Sequence, residues 1–280
     1  SKVLNISMAV CILLFSYFKQ FYFKETVLLF TGKTLFFALN LVSSEGPFIF
    51  LLYFLIYFFH EKFQEKIKSG TFVFFASLLM VLLFTVRYSG IYVYLGILLF
   101  WLFLVLNSKP LPIKMDLFKF LLISGIGITS YLSFNYFTFG SFTGEHLRGA
   151  PAQYAPIYIF RDILGMTNVI DPFIGLKPSS NSFGSLAFQV GVMVIDFILL
   201  GYLIKLYRSK KDLIKVEFHY LLWVIAGVYT IGLFISGLFQ QIEEMNVRML
   251  AAANFCLFFS FLKIYFKGLQ SDRLIFKIGC

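Results

Sequence analysis

Cations and carboxylates recur at the turns between the apolar segments of this sequence. In chain order, the candidate substrate-binding residues are Glu45, Arg87, His146, Arg148 and Arg248. Arginine offers a planar fork of donors that can bind two phosphate oxygens at once. Several cations beside a carboxylate, at the depth of lipid headgroups, predict a site for an anionic substrate embedded in the membrane. A phosphate on a lipid carrier is the natural candidate.

Taken singly, these residues also have structural interpretations. Arg87 and Arg248 would reach toward lipid headgroups along an apolar surface. Glu45 would stabilise the N-terminus of the helix that follows it, because a carboxylate is favoured there by the helix dipole. Their grouping on one side of the membrane, rather than any single residue, indicates a binding site.

The composition determines which elements must position these residues. Hydrophobic residues make up 59% of the 280 residues and aromatic residues 20%, which is more apolar surface than a soluble domain can bury. The apolar segments are continuous and do not alternate with polar residues, so we predict an all-α, polytopic bundle of transmembrane helices forming one domain over residues 1–280. Nine spans are predicted, at about 3–18, 26–42, 46–60, 71–87, 90–107, 117–139, 184–206, 217–238 and 246–266.

The positive charges orient these spans. When the nine spans alternate, 17 of the 24 lysines and arginines fall in joints on one side, which is therefore predicted to be cytoplasmic. The C-terminus then lies in the cytoplasm, and residue 1 lies outside. The net charge of +10 thus reflects topology and contact with lipid headgroups, and nucleic acid is not expected as a partner. Because Ser1 enters a span at once, we expect at least one further span upstream.

The segment 140–183 is the longest polar interval and is predicted to be an extracytoplasmic loop. It carries His146, Arg148, Arg161, Asp162 and Asp171. Glu243 and Glu244 precede the last predicted span on the same side. Two further charges, Lys33 and Asp196, lie within spans, where each should face the bundle interior, water or a partner. They fit a structural polar contact or, alternatively, a transport pathway.

Several short motifs resemble those of the GT-C glycosyltransferases, in the protein-mannosyltransferase-like (family 39-like) branch. The resemblance covers about residues 2–150 and 240–265. It rests on KVLN at 2–5, KQFYFK at 19–24, SEGPF at 44–48, TVRYSG at 85–90, NYFTFGSFTG at 135–144 and NVRML at 246–250. Arg87 and Arg248 match arginine positions of these motifs, and Glu45 matches a serine–glutamate pair. His146 and Arg148 match no position of the family.

The resemblance implies an enzyme that transfers a sugar from a polyprenyl-phosphate carrier to an extracytoplasmic acceptor. The composition, rich in phenylalanine and lysine, favours a bacterial protein, and the bacterial inner membrane is therefore the expected location. Arg87 and Arg248 would then hold the carrier phosphate, and Glu45 would orient the substrate. The family activates its acceptor with an aspartate in the first outer loop, directly or with a divalent metal. That loop would lie upstream of Ser1, so the catalytic residue is expected outside this chain, and no metal ligand is assigned within it.

Two other functions fit the same sequence. A non-catalytic membrane subunit of a larger envelope complex, with partner proteins in the membrane or envelope, would use the same scaffold without the catalytic loop. A transporter or flippase for a lipid-linked or anionic solute would use Lys33 and Asp196 in its pathway, together with an inverted repeat. No clear repeat is present in the sequence.

Overall fold

The computed structural model describes residues 2–32, 35–36, 39, 44–107, 113–143, 156–170, 183–210, 216–239, 245 and 248–271. Within these ranges the regular structure is helical and contains no strand. The helices are α1 (Lys2–Lys19), α2 (Phe23–Thr31), α3 (Glu45–Phe63), α4 (Ser69–Val86), α5 (Gly90–Leu106), α6 (Ile113–Phe139), α7 (Pro156–Met166), α8 (Phe183–Lys210), α9 (Val216–Phe239) and α10 (Ala251–Ser271). The predicted all-α class is confirmed.

Six of these helices are long and apolar enough to cross a membrane: α1, α3, α4, α6, α8 and α9. A crossing needs about 20 apolar residues, because the hydrocarbon core is about 30 Å thick. Two further apolar helices are shorter, α5 and the segment Ala251–Phe266 of α10. The six long helices fit a multi-pass membrane protein, and the nine crossings stay a prediction.

The predicted spans agree with the helices to different degrees. Helices α1, α4, α5 and α9 begin and end within two residues of the predictions. The third span, predicted to be short, is 19 residues long as α3. The last helix begins at Ala251 rather than at residue 246, because residues 248–250 form a turn. Of the second predicted span, only α2 and isolated residues beyond it are described.

Close contacts between helices hold the bundle together. Helix α5 packs along α9 at Gly96, where an added Cβ would lie only 2.9 Å from the Cα of Ile225. Small residues at such a crossing let helix backbones approach, which is a common device in membranes. Aromatic rings fill the core beside it, with Phe59 edge-on to both Phe72 and Phe120.

Part of the predicted long loop is a helix. Helix α7 and the 3₁₀ turn Thr167–Val169 lie within the interval 140–183. Leu164 is buried, whereas Ile159 is exposed. Buried Asn254 of α10 donates a hydrogen bond from Nδ2 to the carbonyl oxygen of Val169 at 3.0 Å. The described part of this interval is therefore packed against the bundle.

The two ends of the bundle can be named by the residues at the ends of α3. Helix α3 begins at Glu45 and ends next to Lys62, and its 19 residues rise about 28 Å. We call these the Glu45 end and the Lys62 end. On the predicted topology, the Glu45 end is the outer one.

Candidate functional site

Three residues from separate turns meet at the Glu45 end. The carboxylate oxygen Oε1 of Glu45 lies 2.6 Å from Nη1 of Arg87 and 3.5 Å from Nε of Arg248. All three were predicted to line one site from their positions between spans. In the structure the three side chains lie together, and one carboxylate oxygen is shared between two guanidinium groups. Their role in binding a substrate stays a prediction.

The ends of three helices position these side chains. Glu45 is the first residue of α3, where its charge also suits the helix dipole. Arg87 follows the last residue of α4 with an extended backbone, which ends that helix. Arg248 lies in the turn before α10, and its carbonyl oxygen accepts the amide hydrogen of Ala251 at 3.2 Å. Arg248 therefore precedes the last helix, whereas the sequence predicted it at the outer start of a span beginning at about residue 246.

Burial and charge give this cluster its chemical character. The Glu45 side chain is 7% exposed, and those of Arg87 and Arg248 are 20% and 28% exposed. Two cations share one anion, so the three side chains carry a net charge of +1. A carboxylate that holds guanidinium groups in place reduces the reorganisation needed when an anion binds. The arrangement can bind a phosphate.

Two aromatic residues and a serine lie beside the cluster. The hydroxyl of Tyr229 on α9 lies 3.1 Å from Oγ of Ser89, two residues after Arg87. Tyr229 is buried. The Phe48 ring packs against it, with 6.1 Å between the ring centroids. The hydroxyl of Tyr229 thus adds a polar group to the wall behind the charges.

Asn5 is a polar residue at this end to which the sequence gave no role. It is 2% exposed on α1, and a Cβ placed on Gly46 would collide with its side-chain oxygen Oδ1. Gly46 therefore lets α1 approach the start of α3, next to Glu45. The signal in the sequence was a polar side chain within an apolar span.

Helix α7 is tied to the segment that carries Arg248. The backbone amide of Met245 donates to Oδ1 of Asp162 at 3.1 Å, and a Cβ on Gly165 would collide with the carbonyl oxygen of Met245. The prediction that Asp162 lies on the same side as Arg248 fits this contact. Burial raises the pKa of the Asp162 carboxyl above its ordinary value of 3.8, and the hydrogen bond from Met245 partly opposes this shift.

We expect Asp162→Asn to stabilise the protein at neutral pH. A carboxyl whose pKa is raised on folding stabilises the fold only when protonated, and this stability is lost as the pH rises from 3.8 through the folded pKa. Asparagine keeps an oxygen acceptor for the Met245 amide and carries no charge. Thermal unfolding in detergent should show a higher midpoint for Asp162→Asn at pH 7 and a smaller difference at pH 4.

Asp162→Ala is the matched control, because it removes the charge and the acceptor together. Its midpoint of thermal unfolding should be lower than that of Asp162→Asn at both pH values, because the lost hydrogen bond lowers the free energy of unfolding by about 1 kcal/mol. A midpoint of Asp162→Asn at or below that of the wild type at pH 7 would contradict the prediction.

The described part of the structure places none of the other predicted residues in the site. His146 and Arg148 lie outside the described residues, as do Lys33, Asp171, Glu243 and Glu244. Asp196 is 2% exposed within α8, in keeping with the expectation that it does not face lipid. Across the described ranges, no group of three His, Cys, Asp or Glu side chains could hold a metal ion.

The comparisons with known proteins add no identification. The chain matched no family model, no curated protein and no solved structure.

Proposed function

We propose that Arg87 and Arg248, held in place by Glu45, bind the phosphate of a polyprenyl-phosphate-linked sugar, and that the protein transfers this sugar to an extracytoplasmic acceptor. One observation carries the proposal. Two arginines from turns far apart in the sequence are held on a single buried carboxylate at one end of a bundle of apolar helices.

The charge arrangement supports a phosphate as the ligand. A guanidinium group has five N–H donors, and at Arg87 the carboxylate oxygen of Glu45 occupies only part of that capacity. The two arginines retain 20% and 28% exposure, whereas Glu45 is almost enclosed. A phosphate can therefore reach the arginines while Glu45 holds them from behind.

The position in the bundle supports a lipid carrier. The cluster lies where three helices begin or end, and we expect this to be the depth at which a headgroup meets the hydrocarbon core. A phosphate bound there would leave an isoprenoid tail free to lie along the apolar helices. Arg87 and Arg248 are also the two residues that match arginine positions of the GT-C motifs.

The same residues suit the chemistry of transfer. When the bond between the sugar C1 and the carrier phosphate oxygen breaks, negative charge grows on the phosphate that leaves. Guanidinium groups fixed beside that oxygen stabilise the charge as it develops. The resemblance assigns acceptor activation to an aspartate of the first outer loop, and no described residue is given that role here.

Lipid binding to Arg248→Gln tests the proposal. The purified full chain is titrated by native mass spectrometry with a polyprenyl phosphate and with the polyprenol of the same length. Loss of one charge-assisted contact, worth about 1.5–3 kcal/mol, should weaken binding of the phosphate roughly 10- to 100-fold. Binding of the polyprenol should not change.

Arg208→Gln is the matched control, because Arg208 is an exposed arginine on α8 outside the cluster. It should bind both lipids like the wild type. Equal affinity of the wild type for polyprenyl phosphate and polyprenol would refute the phosphate site. Selective binding of the phosphate without sugar transfer by the intact protein would favour the alternative of a non-catalytic envelope subunit.

A further inference from the structure

We propose that a groove between α4 and α6, at the Lys62 end, binds an anionic phospholipid, with one acyl chain in the groove and the phosphate on Lys119. The groove has a volume of about 540 Å³. It lies at the end of the bundle opposite Glu45, Arg87 and Arg248. The inference therefore does not depend on the proposed function.

The shape of the groove fits an acyl chain. Its walls are largely apolar and include Phe74 and Leu78. An added Cβ on Gly70 would meet no atom within 4 Å, so the groove is open there. A Cβ on Gly127 would lie 2.6 Å from Cγ2 of Val81, so the two helices close the groove at its other end.

The length of the groove fits one leaflet. Helices α4 and α6 run in the same direction, since Ser69 contacts Asp116 and Val81 approaches Gly127 further along both helices. Eight residues separate Lys119 from Gly127, which is about 12 Å of helix. One leaflet contributes about 15 Å of hydrocarbon. A chain entering beside Lys119 would therefore remain in the leaflet at the Lys62 end.

The charge at the open end selects an anionic headgroup. Lys119 lines the groove and is exposed. The neighbouring carboxylate of Asp116 is occupied, because Lys62 Nζ lies 2.6 Å from its Oδ2 and Ser69 Oγ donates to the same atom at 2.7 Å. Among the described residues, no carboxylate forms an ion pair with Lys119. Its charge is therefore available to a phosphate.

Two variants separate the headgroup from the acyl chain. The full chain in detergent is titrated by native mass spectrometry with phosphatidylglycerol and phosphatidylcholine that carry identical acyl chains. The wild type should prefer phosphatidylglycerol. Lys119→Gln should weaken phosphatidylglycerol binding about fivefold, because one lysine at an anionic lipid contributes about 1 kcal/mol to binding. Binding of phosphatidylcholine should not change.

Gly70→Leu should weaken binding of both lipids, because the leucine side chain fills the open end of the groove. A Cβ at this position would meet no atom within 4 Å, and leucine favours a helix more than glycine does. The variant is therefore expected to fold, which an unchanged thermal midpoint would verify.

Matched controls lie elsewhere on the protein. Lys205→Gln removes an exposed lysine from α8, and Gly227→Leu adds a leucine to an exposed position of α9 with open space around it. Both should bind lipid like the wild type. Equal binding of the two lipids by the wild type, or equal losses in Lys119→Gln and Lys205→Gln, would overturn the proposal. Competition by glycerol phosphate alone at similar concentration would overturn the role of the acyl chain.

Discussion

Replacing Glu45 with glutamine is expected to destabilise the protein by about 3–5 kcal/mol, the cost of removing one partner from a buried ion pair. Glutamine keeps the shape and one acceptor oxygen, but it leaves Arg87 and Arg248 close together with no charge between them. The charge of the cluster rises from +1 to +2 in a place where its carboxylate was 7% exposed. Thermal unfolding in detergent should show a fall in midpoint on the order of 10 °C.

A double variant shows whether charge is the cause. Glu45→Gln with Arg248→Gln returns the cluster to +1 and should recover part of the lost midpoint. The coupling to Glu45, measured in a double-mutant cycle, should be smaller for Arg248 than for Arg87, because the contact of Arg248 with Glu45 is 3.5 Å rather than 2.6 Å.

Glu65→Gln is the control for the change of side chain. Glu65 is exposed beyond the end of α3, so its replacement should stay within about 0.5 kcal/mol of the wild type. If Glu45→Gln melts together with this control, the carboxylate does not hold the two arginines, and the preorganised phosphate site loses its basis.

The grouping at the Glu45 end could be predicted because topology determines it. In a bundle of alternating spans, residues in every second turn share one side, and the bias of lysine and arginine indicates which side. Glu45, Arg87 and Arg248 follow from this rule alone. Which arginine lies closer to Glu45 depends on side-chain packing, which periodicity does not contain.

Other parts of the site could not be predicted because they depend on contacts between helices. Asp162 lies on α7, an 11-residue helix inside an interval rich in proline, glycine and serine, and these residues predict a loop. The amide of Met245 and the close approach at Gly165 hold this helix in place. The start of α10 at Ala251 could not be predicted either, because the apolar residues before it continue the pattern of the span without continuing the helix.

At the Lys62 end, too, the sequence does not predict which charged groups form a pair. The sequence counts Lys62 as one of the cytoplasmic positive charges and gives Asp116 no role. In the structure, the two groups form an ion pair at 2.6 Å that joins α3 to α6. Such a pair depends on how the helices pack, so lysine counts predict the side on which Lys62 lies and not its partner.

Asp116→Asn is expected to be the second strongly destabilising substitution, again by about 3–5 kcal/mol. Asp116 is 6% exposed, and its Oδ2 receives both Lys62 Nζ and the Ser69 hydroxyl. Lys62 Nζ also donates to Ser69 Oγ at 3.0 Å, which closes a triangle between three helices. The amide of the Asp116→Asn variant cannot balance the ammonium charge of Lys62. The midpoint of thermal unfolding of this variant should therefore fall.

Two further variants distinguish loss of the charge balance from loss of a hydrogen bond. Ser69→Ala removes a hydroxyl from the triangle but leaves the ion pair, so it should cost only about 1 kcal/mol. Lys62→Met with Asp116→Leu replaces the pair by apolar side chains and should be close to neutral, because a buried ion pair offsets little more than its own desolvation. If the double variant is as unstable as Asp116→Asn, the defect comes from packing around residue 116. If the double variant is nearly as stable as the wild type, the unbalanced charge of Lys62 causes the instability of Asp116→Asn. The ion pair then determines how α3, α4 and α6 pack together and adds little to the stability of the bundle.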